Sequence, residues 1–132
     1  MRLIIFITLC TAILAGACQT RKFSFNPGIS ISVEEAYALS KKGVLLVDVR
    51  EPQEVAEVTY QVKNYRNVPL SQLESRFQEI PRDRPVILAC RSGNRSRKAY
   101  EVLTAKGYRN LTSIEGGLLA WEARNLPVIR KK

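Results

Sequence analysis

The chain is 132 residues long, a length for one domain, and its 21 lysines and arginines against 12 acidic residues give a net charge of +9. It contains no histidine, which excludes Cys-His hydrolases and Ser-His-Asp triads. The charge fits nucleic acid, anionic lipid or small anionic substrates, but the aromatics are not interleaved with the basic residues as a base-stacking platform requires, so nucleic acid is set aside.

The opening "MRLIIFITLCTAILAGACQT" has one early charge, Arg2, then an apolar run to Ala17 broken only by threonines, with small residues at 15–18. That is the layout of a secretory signal peptide. At about 15 apolar residues it is short for a membrane span, which needs about 20. "AGA" before Cys18 fits an ordinary peptidase site, while "LAGAC" resembles a bacterial lipobox, although alanine stands where that motif usually has leucine. The preferred reading is a lipoprotein cleaved before Cys18, ahead of plain secretion and of an uncleaved anchor. It divides the chain into a signal peptide (1–17), a polar tether containing Asn-Pro-Gly (18–28) and a folded domain (29–132). It also predicts export to a bacterial cell envelope, with the protein held at the membrane through a lipid on Cys18 and facing the periplasm or the exterior. Cys10 falls in the signal, so Cys90 is the one thiol left in the domain. An internal disulfide, a C-x-x-C pair and a cysteine zinc site are then unavailable, and no metal or cofactor is expected.

Along the domain, "ISISVEEAYALSKKG" reads as a short strand and a helix, with Ser32 and Glu35 spaced as a capping box and Gly43 as the stop. "VLLVDV" at 44–49 is an apolar, β-branched run of the kind found in strands covered on both faces. "REPQEVAEV" reads as a loop with one helical turn, and "NVPL" at 67–70 as a short extended piece. "SQLESRFQEI" repeats the capping spacing at Ser71 and Glu74 and is closed by Pro81 and Pro85. "VILAC" is a second buried-type strand. "SRKAYEVLTAKG" places Ala99, Val102 and Leu103 on one helical face; "NLTSI" is a last strand and "GGLLAWEARN" a last helix, with Trp121 in the core. Strands alternating with helices predict an α/β domain with a five-stranded, mainly parallel sheet and helices on both faces. Ligands of such sheets bind beyond the carboxyl ends of the strands, where "CRSGNRS" at 90–96 falls.

A strand ending at Cys90 and a helix starting near Ser96 leave a tight loop. Its backbone N–H groups can converge on an anion, aided by the helix dipole. The same field, with Arg91 and Arg95, favours a thiolate at Cys90, so a nucleophile and an anion site coincide. Phosphatases with a cysteine-arginine loop place five residues between the two, enough N–H groups to surround a phosphate. Here Arg95 follows after four and Ser96 takes the fifth-spaced position, a narrower loop that suits one additional sulfur atom. That spacing and the missing second thiol disfavour a phosphatase or an arsenate-reductase-like enzyme. Gly93 is read as a backbone requirement; Arg97 and Lys98 start the helix facing solvent.

With "CRSGNRS", "DVREPQE" at 48–54, "NVPL" and "GGLLAW" at 116–121 in this order, the chain resembles the single-domain rhodaneses, or thiosulfate sulfurtransferases, over about residues 29–129. The resemblance implies a rhodanese-like fold and a Cys90 nucleophile that holds the outer sulfur of thiosulfate as a persulfide. The loop from Arg91 through Ser92, Gly93, Asn94 and Arg95 to Ser96 would bind the substrate, Arg91 and Arg95 helping with a dianionic donor. A small anionic sulfur donor and an external thiol, cyanide or protein acceptor are the implied partners. The alternative is a carrier or protein-binding module that turns over poorly alone. Asp48, Arg50 and Glu54 are expected either to line the rim of the site or, preferably, to pair with one another. One departure stands out: where the family usually has a Gly-His-Ile-type stretch, this chain has "EVTYQVKNYRNVPL", without the histidine.

Overall fold

The computed structural model of the chain describes residue 25 and residues 27–132. The expected signal peptide, Cys18 and most of the tether therefore lie outside the described residues. Among those described, no helix is long and apolar enough to cross a membrane.

The first helix, α1 (Val33–Lys41), begins where Ser32 accepts a hydrogen bond from the Glu35 amide at 3.2 Å. Strand β1 (Leu45–Asp48) follows, then α2 (Pro52–Glu57), which runs directly into β2 (Val58–Tyr60). Strand β3 (Tyr65–Asn67) leads to a 3₁₀ turn, the single-turn α3 (Leu73–Arg76) and a second 3₁₀ turn. Strand β4 (Val86–Ala89) precedes the longest helix of the domain, α4 (Asn94–Ala105); β5 (Leu111–Ser113), α5 (Gly117–Ala123) and β6 (Val128–Arg130) complete it.

Four strands form one parallel sheet in the order β3-β1-β4-β5. Alternation of side chains across a pleat sends Val47, Leu88 and Cys90 to one face, against Leu73, Ala99 and Leu103 of α3 and α4. Leu46, Ile87 and Ala89 go to the other, against Val33 and Ala36 of α1 and Leu118 and Trp121 of α5. Both faces are covered, which is why the 44–49 and 86–90 runs are almost wholly apolar. Trp121 is fully buried and meets Tyr37 and Tyr60 edge to face, at centroid distances of 5.5 and 5.1 Å. Such pairs contribute about 1 kcal/mol each beyond their burial.

Two expectations are modified. The first expected strand is reduced to a single parallel bridge, Ile31 to Ile114, at the β5 edge, so the fifth strand is a stub. In addition, β2 and β6 pair antiparallel in a separate two-stranded ribbon that the sequence does not announce. The helix expected to be capped by Ser71 instead enters through the 3₁₀ turn at Leu70–Gln72, and the Ser71 hydroxyl goes to Glu51 Oε2 at 2.9 Å.

Candidate active site

In register, Asp48 at the end of β1 lies beside Ala89 at the end of β4, so the chain leaves both strands at one edge of the sheet. Cys90 is the first residue past β4 and is fully buried. The backbone then turns through Gly93, whose φ of +99° is left-handed and whose hypothetical Cβ would lie 3.1 Å from the Gly116 nitrogen. Only glycine fits both conditions without strain. Gly93 is the N-cap of α4, so the helix starts at Asn94, two residues earlier than expected. Its first backbone bond to a preceding carbonyl is from Arg97 N–H to Gly93 O, 3.1 Å. Among the described residues, the amides of Asn94, Arg95 and Ser96 are left without a carbonyl partner, the ordinary condition of a helix N-terminus.

The Gly93 N–H donates to Cys90 Sγ at 3.0 Å, and Ser96 Oγ lies 3.5 Å from the same sulfur. Behind Ser96, the Ser113 hydroxyl donates to Ser96 Oγ at 2.7 Å. The Cys90 carbonyl accepts two bonds, from Tyr60 O–H at 2.6 Å and from Leu118 N–H at 2.9 Å. Burial, and secondarily the charge of Asp48, push the Tyr60 phenol well above its ordinary pKa, so it remains a donor. Gly117 packs against the loop from the other side: a Cβ there would stand 2.6 Å from Cys90 O and from Arg91 C and O.

The loop's two arginines are placed differently. Arg91 is exposed, and its side chain has no ion pair among the described residues. Arg95 is half-buried and grips Glu54 with both terminal nitrogens, at 2.6 and 2.7 Å. The hydrogen bonds from Arg95 are the main reason that the Glu54 carboxyl is lowered to about 2. Asp48 and Arg50 form their own fully buried pair at 2.6 Å. Burial opposes the charge on Arg50, but the hydrogen bonds and charge of Asp48 outweigh it and its pKa is raised. Of the three residues expected to pair among themselves, two do so and Glu54 turns to the loop. Ser92 and Asn94 are exposed beside Arg91, as are Arg97 and Lys98.

Sequence reasoning missed Tyr60, Ser113 and Gly117. Tyr60 sits inside the stretch that departs from the rhodanese pattern, where no motif guides the eye. Ser113 lies in "NLTSI", which reads only as a last strand, with no sign of which face its hydroxyl takes. Gly117 was noted within "GGLLAW", but nothing in one dimension shows that it faces the Cys90 carbonyl. The "EVTYQVKNYRNVPL" stretch folds as β2 and β3, and it contributes a phenol to the loop from the place where the family usually has its histidine-bearing stretch.

The fold and this edge define an α/β domain with a buried cysteine at the floor of a tight turn that opens a helix. Residues 32–124 match the model of the rhodanese-like domain, and the chain belongs to that family. A protein of Allochromatium vinosum named a sulfurtransferase is 38% identical over 86 residues, which cover 65% of this chain and 78% of that protein. Among solved structures, a rhodanese-related protein of Thermoplasma volcanium superposes with a TM-score of 0.69 at 32% identity, covering 79% of this chain and 100% of the other. The polysulfide-sulfur transferase homodimer of Wolinella succinogenes gives a TM-score of 0.69 at 27% identity, covering 79% and 80%. Sulfur transfer is thus the chemistry supported at the level of the family.

Proposed function

We propose that the protein is a sulfurtransferase that takes sulfane sulfur from thiosulfate, or a similar small anionic donor, onto Cys90 and passes it to an external thiol, cyanide or protein acceptor. The Cys90 thiolate attacks the outer sulfur of thiosulfate; the new S–S bond forms as the donor's S–S bond breaks, and sulfite leaves with the electron pair. Cys90 then holds a persulfide whose negative charge lies on the outer sulfur. An acceptor thiolate attacks that sulfur and releases Cys90 as thiolate; cyanide in the same role leaves as thiocyanate. Neither half needs a general acid, in keeping with a chain that lacks histidine.

The observation that carries this reading is the Gly93 amide 3.0 Å from Cys90 Sγ, in a turn whose next three amides face no carbonyl. Such a turn supplies fixed donors where the persulfide charge develops. Arg91, exposed and unengaged among the described residues, attracts the dianionic donor; the charge of Arg95 is neutralised by Glu54. Among the described residues Cys90 is the one cysteine, so sulfur passes from it to an outside acceptor.

Export belongs to the same proposal: residues 1–17 act as a signal peptide and Cys18 carries a lipid that holds the domain in the cell envelope. Incorporation of labelled fatty acid, lost in Cys18→Ala together with membrane retention, tests it. An unlabelled wild type would overturn it.

The decisive experiment on the chemistry is the intact mass of the purified domain after thiosulfate. A gain of one sulfur atom, removed by cyanide and absent in Cys90→Ser, is expected. Full loading of Cys90→Ser would overturn the mechanism. Arg91→Ala is expected to raise KM for thiosulfate more than it lowers kcat, and an unchanged KM would remove Arg91 from donor binding.

A further inference from the structure

We propose that Ser113, on the neighbouring strand β5, is a positioning residue that acts on Cys90 through the hydroxyl of Ser96. The proposal deepens the reading of Cys90 as a sulfur-accepting nucleophile and rests on it. Leu88 pairs with Ser113 across β4 and β5. Strand alternation therefore puts Ser113 and Cys90 on the same sheet face, the one covered by α4. Ser96, in the first turn of α4, lies between them. Cys90 and Ser96 are fully buried and Ser113 nearly so, so no solvent competes for these hydroxyls.

A serine hydroxyl has one proton to give and two positions to accept. Ser113 spends its proton on Ser96 Oγ at 2.7 Å, filling one of these positions. The Ser96 proton then has two acceptors within reach: the Gly93 carbonyl at 3.2 Å and Cys90 Sγ at 3.5 Å. With a neutral thiol, the S–H points to Ser96 Oγ and the Ser96 proton stays on Gly93 O. With a thiolate, the Ser96 hydroxyl rotates and donates to the sulfur, while Ser113 continues to polarise it.

The charged inner sulfur occurs twice in the cycle, before attack on the donor and again as the leaving group when the acceptor takes the outer sulfur. In the persulfide the inner sulfur is neutral and the proton returns to Gly93 O. Ser96 therefore follows the charge on Cys90, and Ser113 holds Ser96 in the position from which it can do so. No atom is transferred along this chain of hydroxyls; it is a rotation of one O–H between two acceptors.

The test reads the thiolate by the rate at which neutral iodoacetamide alkylates Cys90 at a fixed pH near 7, divided by the limiting rate at high pH so that differences in access to the buried sulfur cancel, and so does not depend on sulfur chemistry. Ser96→Ala is expected to slow alkylation roughly tenfold, the scale of one hydrogen bond to a charged atom, and Ser113→Ala by about threefold as a polarising contact is lost. The double variant is expected to be no slower than Ser96→Ala, because Ser113 acts only through Ser96. Independent, multiplying effects would overturn the proposal, as would an unchanged rate in Ser113→Ala. If Ser113→Ala does not fold, Ser113→Thr and Ser113→Val form a pair of equal shape with and without the hydroxyl; near-native alkylation in the first and slowed alkylation in the second are expected, and equal rates overturn the proposal. Thiosulfate loading of the wild type is measured alongside. Failure to load strikes the sulfurtransferase reading, whereas normal loading with additive serine effects strikes only the hydroxyl relay.

Discussion

Two arginine–carboxylate pairs draw on the short stretch "DVREPQE", and they do opposite kinds of work. Asp48 and Arg50 are 0% and 1% exposed. Their remaining hydrogen-bonding capacity is used by the fold: Arg50 donates to the carbonyls of Val58 and Glu54, Tyr65 O–H donates to Asp48 Oδ2, and Asn67 bonds the carbonyls of Asp48 and Arg50. This pair ties the end of β1 to α2, β2 and β3. Glu54 and Arg95 are each about a third exposed and join only α2 to the turn at the start of α4. A buried pair is defined by what its removal leaves behind, an uncompensated charge in a dry interior; a half-exposed one by what it keeps its arginine from doing. The first shapes the sheet edge from which the Cys90 loop departs. The second sets how much of the loop's positive charge is left unneutralised.

The two pairs differ most at Asp48. Asp48→Ala leaves the Arg50 guanidinium buried without its counterion, and a loss of about 3–5 kcal/mol is expected from urea unfolding. A loss below about 1 kcal/mol would mean that water reaches Arg50 and that the two pairs are alike. Next in size is Tyr65→Phe, which removes one donor to the Asp48 carboxylate at 2.9 Å while Arg50 stays in place; about 1.5 kcal/mol is expected from the same measurement. A stability equal to wild type would show that the phenol is not part of the buried hub.

How much of this was legible beforehand depends on whether a neighbour in sequence or in space decides. The runs at 44–49 and 86–90 read as strands because burial on both faces makes nearly every position apolar. The loop was legible because Cys90, Gly93 and the helix start are close in sequence. Trp121 read as core, as its full burial confirms. The β2–β6 ribbon was not legible: each strand has three residues, and its register of Val58 with Arg130 joins segments far apart in the chain. Ser71 with Glu74 had the right spacing for a cap, but the chain after Pro69 turns as a 3₁₀ helix and aims Ser71 at Glu51. The partner of Glu54 was also hidden, since Arg50 and Arg95 are equally good cations on paper. Only the fold, which brings the start of α4 within reach of Glu54 in α2, selects Arg95.

The smallest effect is expected at Glu54. Glu54→Gln keeps the shape of the pair and removes its charge, so the stability loss is expected to be under about 1 kcal/mol, as for partly exposed pairs generally. The kinetic effect goes the other way: Arg95, no longer neutralised, adds to Arg91, and KM for thiosulfate falls a few-fold, with a steeper dependence on salt. A raised KM would mean that the pair serves the site by holding the loop still. The pH dependence has a definite sign. The folded pKa of Glu54 is lowered from 4.5 to about 2, chiefly by the hydrogen bonds from Arg95. Its contribution is therefore complete above the ordinary carboxylate range and is lost as pH falls through about 2. Unfolding of wild type and Glu54→Gln, compared from pH 6 downward, is expected to differ most at the upper end and to converge near pH 2. A difference that persists unchanged at the acid end would show that the contact holds by shape and hydrogen bonding, with no share for the charge.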